Sequence, residues 1–301
     1  MTHPRVSVII PVFNGAPFVA KAVESVRAQS IDDLEIIVVD DGSVDGTQEV
    51  LQKLERTMDI VWFQQDHGGP ARSRNRGIAA ARGEFVALLD CDDLWLPDKL
   101  EAQLEIVACR PDVGVVHSDY ESIDQDGCVL ERVRARHSPE PLVRAFVGGH
   151  TALPSTLLVK RSILLEAGAL NPELYGSEDS DLTIRLYRVT RFDCVDRVLV
   201  RKLQRGHGYR DQAFDEATHR EKILTSRERF LLGLETMQPL TEDQRAALDR
   251  EWANYFLTRG ATADRAGRRA DALRFYRQAI RKAPWRIRAY TRWARALAPW
   301  R

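Results

Sequence analysis

The sequence lacks any apolar run near the roughly 20 residues that a membrane-spanning helix needs, so no transmembrane segment is expected. Its first strand signal opens at Val6, which leaves no expectation of a secretory leader. Cysteine is scarce: Cys91, Cys109, Cys128 and Cys194 are scattered, with no CxxC pair and no metal-ligand spacing. That argues against a disulfide framework and fits free thiols in a reducing cytoplasm. Neither GxGxxG nor GxxxxGK(S/T) occurs, so nicotinamide binding and ordinary ATPase chemistry lose their sequence support. Net charge is also absent, since 44 Lys and Arg balance 44 Asp and Glu. The balance is uneven, because Arg265 to Arg301 holds twelve basic residues and one acid, Asp271, which leaves residues 1 to 264 at −11.

What is present in the first hundred residues is an alternation of apolar runs and helical periods. Val6-Ser7-Val8-Ile9-Ile10, Leu34 to Val39, Ile60 to Phe63 and Phe85 to Leu89 read as strands, with helices predicted from Phe18, Thr47 and Gly69-Pro70. Continuous Val/Ile/Leu runs separated by helices argue for a mainly parallel, Rossmann-like sheet covered on both faces. A helix follows to Arg110, then a strand at Val113 to His117, another at Ser155 to Val159, a helix from near Ser180 and a strand from about Phe192 to Leu203. Everything from about Ala213 reads as helix. The expected organisation is therefore an α/β domain over residues 1–210 and an α-helical C-terminal extension over 211–301.

The densest chemistry is Asp90-Cys91-Asp92-Asp93, three carboxylates at the end of an apolar strand. Burying such charges without a partner is costly and like charges raise each other's pKa, so a divalent cation with oxygen ligands is a natural complement. A solvated acidic loop is the competing reading. Asp40-Asp41-Gly42-Ser43 ends another strand, and in parallel sheets ligands bind beyond the carboxyl ends of the strands. Asp41 could accept a base N–H, although the same tetrapeptide makes an Asx turn. Gly68 to Arg76 is a glycine-rich helix start with three arginines, suited to an anion or simply to water. Glu178-Asp179-Ser180-Asp181 opens a later helix, where one acid serves as cap and another could remove a proton from a hydroxyl. His207 follows the last strand and is either a loop residue or a late metal ligand.

In this order the segments Val6 to Gly15, Val39 to Ser43, Gly69 to Asn75, Asp90 to Asp93 and Glu178-Asp179 resemble the family-two glycosyltransferases of GT-A fold, over about residues 4 to 210. The resemblance implies an inverting transferase that uses a nucleotide-diphosphate sugar, a UDP-sugar being favoured, and a divalent metal, Mn2+ or Mg2+. By position, Asp41 would contact the base and Asp40 support its pocket, with Pro11 and Phe13 lining it. Arg72 and Asn75 would face the donor. Asp90, Asp92 and Asp93 match the DxD-type cluster for ribose, metal and diphosphate, and His207 a late metal ligand. Asp179 matches the catalytic base, assisted by Glu178. The absence of a QxxRW element argues against a processive synthase. The acceptor expected is a glycan or lipid-linked hydroxyl in cell-surface polysaccharide synthesis. The alternatives are a nucleotidyltransferase, for which no N-terminal lysine-bearing glycine loop is found, and a non-catalytic adaptor working through its helices.

In the extension, Phe256, Gly260, Ala272, Tyr276, Ala279 and Pro284 have the spacing of one tetratricopeptide-like helix pair, about 253–284. Residues 281 to 301 then interleave arginines with Trp285, Tyr290, Trp293 and Trp300 and contain no acid. Such a tail suits an anionic membrane surface on the cytoplasmic side, or a capping helix with its tryptophans packed inward. Nothing upstream supports nucleic acid as a partner. Self-association is compatible with these features.

Overall fold

In the computed structural model, residues 3–134, 153–204, 216–237 and 239–297 are described. They fall into two compact units. The first takes the described residues up to 173 and those from 178 to 204; the second takes 174–177 and the described residues from 216 onward.

The first unit begins with β1 (Val6–Val12), α1 (Val19–Arg27), β2 (Leu34–Asp40), α2 (Thr47–Met58), β3 (Val61–Gln64), α3 (Pro70–Ala80) and β4 (Phe85–Leu88). These strands are mutually parallel, with β1 between β2 and β4 and β3 outside β2. The apolar run of β1 is buried on both faces, and its two-residue alternation divides the core. Val6, Val8, Ile10 and Val12 pack with Val19, Val23 and Val26 of α1 and Leu51 of α2. Ile9 packs on the other face with Ala71 and Ile78 of α3. Pro11 is accommodated in β1 because β4 pairs only as far as Ile9 and its last bond runs from Leu89 N to Ile9 O. The missing proline N–H therefore faces the side that β4 has left.

Beyond β4 come β5 (Leu94–Trp95), α4 (Lys99–Cys109), β6 (Val113–Ile123), β7 (Val129–Val133), β8 (Leu158–Lys160), α5 (Arg161–Glu166), α6 (Glu178–Val189) and β9 (Arg191–Leu203). The sheet order is β3-β2-β1-β4-β8-β6-β9-β5, with β7 paired to β6. β8 is antiparallel to both β4 and β6, so the sheet is mixed where the strand runs alone suggested a parallel one. The strand expected at Ser155 to Val159 is split. Pro154–Thr156 forms a 3-10 turn, closed by Thr156 N and Oγ1 donating to Leu153 O at 2.8 and 2.7 Å, and pairing starts only at Leu158. β6 runs to Ile123, beyond the expected His117, because β9 and β7 supply partners along that length.

The second unit holds α7 (Glu216–Thr236), α8 (Glu242–Arg265), α9 (Arg269–Lys282) and α10 (Ile287–Leu297). Thr241 and Gln244 form a reciprocal capping box at the start of α8. α8 and α9 approach closely at Gly260, where an added Cβ would lie 2.4 Å from Cε1 of Tyr276. Tyr276, Ala272 and Ala279 are buried in that contact. Tyr175 belongs to this unit, lying edge-on to His219 with ring centres 5.6 Å apart and under the Lys222 ammonium at 4.2 Å.

Candidate active site

Parallel pairing brings the ends of β1, β2 and β4 to one edge of the sheet, with Val12 in register with Asp40. At the β2 end Asp40 is fully buried. Its Oδ1 accepts the Ser43 N–H at 3.0 Å, while Oδ2 is buried with no hydrogen-bond partner. Such an orphaned acceptor is costly and marks a place for a donor group or a water. Asp41 is also buried, and its carboxylate is already engaged. Gln65 Nε2 donates to it at 2.7 Å, Gly68 N at 3.0 Å and Gly69 N at 2.7 Å, with His67 Nδ1 3.0 Å away. Two N–H groups of the glycine loop that leads into α3, part of the motif read from sequence as a candidate anion site, thus bind the chain's own Asp41. Gly42 has φ +81°, and a Cβ there would sit 3.1 Å from His67 N, so only glycine lets the two loops meet. The rings of Phe13 and His67 lie 4.1 Å apart, tilted by 33°. Phe13 and Pro11 stand at this end of the edge, and His67 joins Phe13 there.

At the β4 end the acidic cluster is organised by the 3-10 turn. Ser155 Oγ accepts the Asp90 N–H at 3.1 Å and donates to Asp93 Oδ2 at 2.6 Å, while Leu203 N donates to Asp93 Oδ1 at 3.3 Å. Asp93 is 2 % exposed. Burial, with the charges of Asp90 and Asp92, pushes its carboxyl well above the usual carboxylate range, and the Ser155 bond only partly opposes this. Asp90 and Asp92 are the partly exposed acids of the cluster.

The group that unites the site is Arg74. It is 4 % exposed. Its Nη2 binds Asp90 Oδ1 at 2.6 Å and its Nη1 binds Asp179 Oδ1 at 3.0 Å, with Glu178 Oε1 at 3.8 Å. Burial alone would depress the guanidinium pKa, but Asp90, Asp179 and Glu178 raise it instead, so the group stays charged. Asp179, in the first turn of α6, keeps 39 % of its side chain open. Its pKa is raised by burial, lowered by Arg74 and raised again by Asp90, with a net upward shift. Lys202 on β9 adds positive potential at both Asp93 and Asp179.

Sequence reasoning selected Arg72 and Asn75 from the α3 motif. Arg72 is exposed, and Asn75 spends its amide on Leu170, donating to its carbonyl at 2.7 Å and accepting its N–H at 3.0 Å. Asn75 thus fastens a loop. The missed residue was legible in the helical phase: Ala71, Arg74 and Ile78 form the buried stripe of α3, and Arg72 and Arg76 fall outside it. His207 lies outside the described residues.

Among the described residues no cluster of three His, Cys, Asp or Glu side chains forms a ready metal cage. The donor set nonetheless fits a hard divalent cation in its chemistry, because Asp90, Asp92 and Asp93 bring three carboxylates within four residues at one strand end. Mg2+-like ions commonly take one or two carboxylates and complete their shell with substrate phosphate and water. Asp90 and Asp92 are the partly exposed oxygen donors, and Asp93 is fixed by Ser155.

Solved structures share the fold, which is of the GT-A type. S. aureus TarS 1-349 in complex with UDP-GlcNAc matches with TM-score 0.69 at 17% identity, over 97% of this chain and 89% of that one. Mannosyltransferase PcManGT from Pyrobaculum calidifontis, in complex with GDP-Man and Mn2+, matches with TM-score 0.59 at 19% identity, over 98% and 80%. The family model Glycosyl transferase family 2 matches residues 7–165, and the chain belongs to that family. An uncharacterized glycosyltransferase of Rickettsia felis is 28% identical over 270 residues, 86% of this chain and 42% of its own length. The putative teichuronic acid biosynthesis glycosyltransferase TuaG of Bacillus subtilis is 39% identical over 142 residues, 46% and 55% respectively. The chain spans less than two thirds of the length of each of these two relatives.

Proposed function

We propose that this chain is a metal-dependent inverting glycosyltransferase that moves a sugar from a nucleotide-diphosphate sugar, a UDP-sugar by preference, to a hydroxyl of a glycan or lipid-linked acceptor in cell-surface polysaccharide synthesis. The observation that carries the reading is Arg74, one buried guanidinium that holds Asp90 and Asp179 within its own width. Family membership, the name of TuaG and the nucleotide sugars bound by TarS and PcManGT support it.

In this reading Asp40 and Asp41, with Pro11 and Phe13, receive the nucleoside, and Asp90 receives the ribose. Asp92 and Asp93 would hold Mn2+ or Mg2+, with His207 as a further ligand. The cation, when bound, lends Lewis-acid help to the departing nucleotide. Asp179 removes the proton from the acceptor hydroxyl as that oxygen attacks the anomeric carbon from the face opposite the leaving group, which inverts the centre. Arg74 holds Asp179 in place and favours its ionised form, and Glu178 completes that setting. The finer reading of location is the cytoplasmic side of a membrane, with the tail from residue 281 on an anionic surface. Among the described residues no helix is long and apolar enough to cross a bilayer.

Asp179→Asn is the direct test. Transfer from a radiolabelled nucleotide sugar is expected to fall by at least about a hundredfold, while thermal stabilisation by donor plus Mn2+ persists. Retained transfer removes Asp179 from the base role. Pyrophosphate release from a sugar phosphate and a nucleoside triphosphate would instead favour the nucleotidyltransferase reading.

A further inference from the structure

We propose that the cavity between α8 and α10 is a binding site for a lipid headgroup bearing a phosphate monoester, which seats the helical unit on an anionic bilayer. This rests on the membrane-surface reading given above and assigns it a defined site and ligand chemistry.

α10 has two contrasting faces. Ala289 and Ala296 are buried against α8 and α9 residues such as Leu257 and Tyr276. Near its start Ile287 is 77 % exposed and Trp285, two residues earlier, 62 %. Large apolar side chains in a row on a helix surface favour an apolar phase, and aromatic residues with arginine favour its interface. From 272 to 297 the chain has eight Lys and Arg and no acid.

The cavity beside this face measures about 510 Å3 and is lined by Arg286, Arg288 and Arg292, with Ile287 at its rim. Arg286 Nη1 donates to Asn254 Oδ1, and Arg292 Nη1 donates to Leu257 O at 3.3 Å. Two of the three guanidinium groups are thereby anchored to α8. Among the described residues no ion pair joins Arg286, Arg288 or Arg292 to a carboxylate, whereas Lys282 nearby in sequence has both Glu235 and Asp249. Three guanidinium groups at one cavity without a counter-charge repel each other. A phosphate monoester brings up to two negative charges and three acceptor oxygens, the complement of such forks. A soluble phosphate would leave Trp285 and Ile287 facing water, whereas a lipid brings acyl chains to Ile287, which lines the cavity, and to Trp285 close by in sequence. The bilayer is therefore the occupant.

The test is sedimentation of the full chain at low salt with phosphatidylcholine vesicles, alone or carrying phosphatidic acid or phosphatidylglycerol at matched surface charge. Both anionic vesicles should bind and phosphatidylcholine alone should not. Phosphatidic acid should bind at least about fivefold more tightly than phosphatidylglycerol, the effect of one basic side chain near such a surface. Arg288→Gln, at an exposed position, should erase that preference, and Trp285→Ser with Ile287→Ser should weaken binding to both. Equal binding to the two anionic lipids, or an undiminished preference in Arg288→Gln, overturns the headgroup site while leaving the membrane-surface reading standing. Binding to neither overturns both. Loss of a dimer in light scattering on Ile287→Ser, without vesicle binding in the parent chain, assigns the face to a second copy and likewise overturns the proposal.

Discussion

Arg74 concentrates the argument at the scale of single residues. A guanidinium can neutralise two carboxylates at once with fixed geometry, and this one spans from the strand-end cluster to the first turn of α6. Removing it leaves Asp90, Asp179 and Glu178 facing one another without a cation, a loss of about 3 kcal/mol for a buried partner. Arg74→Met is therefore expected to melt several degrees lower. It should also move the acid limb of the kcat/KM profile to higher pH, because Arg74 lowers the Asp179 pKa and that influence is lost. The base must be ionised to act, so a higher pKa costs activity on the acid side first. An unshifted acid limb in a folded Arg74→Met protein would separate Arg74 from the base. Composition could name the arginines of this motif but not choose among them. The choice needed the phase of α3, and Arg72, the arginine first selected, falls outside the buried stripe.

At the scale of elements, the 3-10 turn Pro154–Thr156 acts as the fixing block of the acidic cluster. Ser155 Oγ serves Asp90 and Asp93, and its carbonyl accepts the Trp95 indole N–H at 2.8 Å. Gln103 of α4 donates to Thr156 O at 2.8 Å and accepts from the buried Lys99 ammonium at 2.7 Å. The Lys99 pKa is pushed well down by burial. Ser155→Ala removes a donor and an acceptor from buried partners, so a loss of about 2 to 4 kcal/mol is expected in urea unfolding. Donor affinity at fixed Mn2+ should fall as well; unchanged affinity would free the cluster from its dependence on this turn. The sequence made the first four strands legible because each is a continuous apolar run ended by turn residues. It could not reveal that β8 inserts antiparallel between β4 and β6, nor that β7 pairs with β6, because both depend on partners distant in sequence. Ser155 looked like the first residue of a strand for the same reason.

For the whole molecule, the fold is readable in outline and its division less so. The shift to helix near residue 210 suggested a single cut, yet Leu174 to Ser177 group with the helical residues from 216 on. Tyr175 has its ring partners on α7, at His219 and Lys222. A chain ending at residue 210 removes both. Such a truncation is expected to show faster proteolysis around 174–177 than the full chain; equal protection would mean that this segment holds its conformation without α7. Periodicity could not foresee this, because four residues in a loop leave no period to read.

The strand-edge carboxylates have a further consequence, for the order of events rather than for geometry. Asp40, Asp41, Asp90, Asp92, Asp93, Glu178 and Asp179 lie among few cations: Arg74 is shared among Asp90, Asp179 and Glu178, and Lys202 adds its field at Asp93 and Asp179. A bare diphosphate approaching such a surface is repelled at short range, and salt relieves that repulsion only over distances beyond about 10 Å. On the function proposed above, a nucleotide sugar would cross this field more readily paired with its counter-ion than alone.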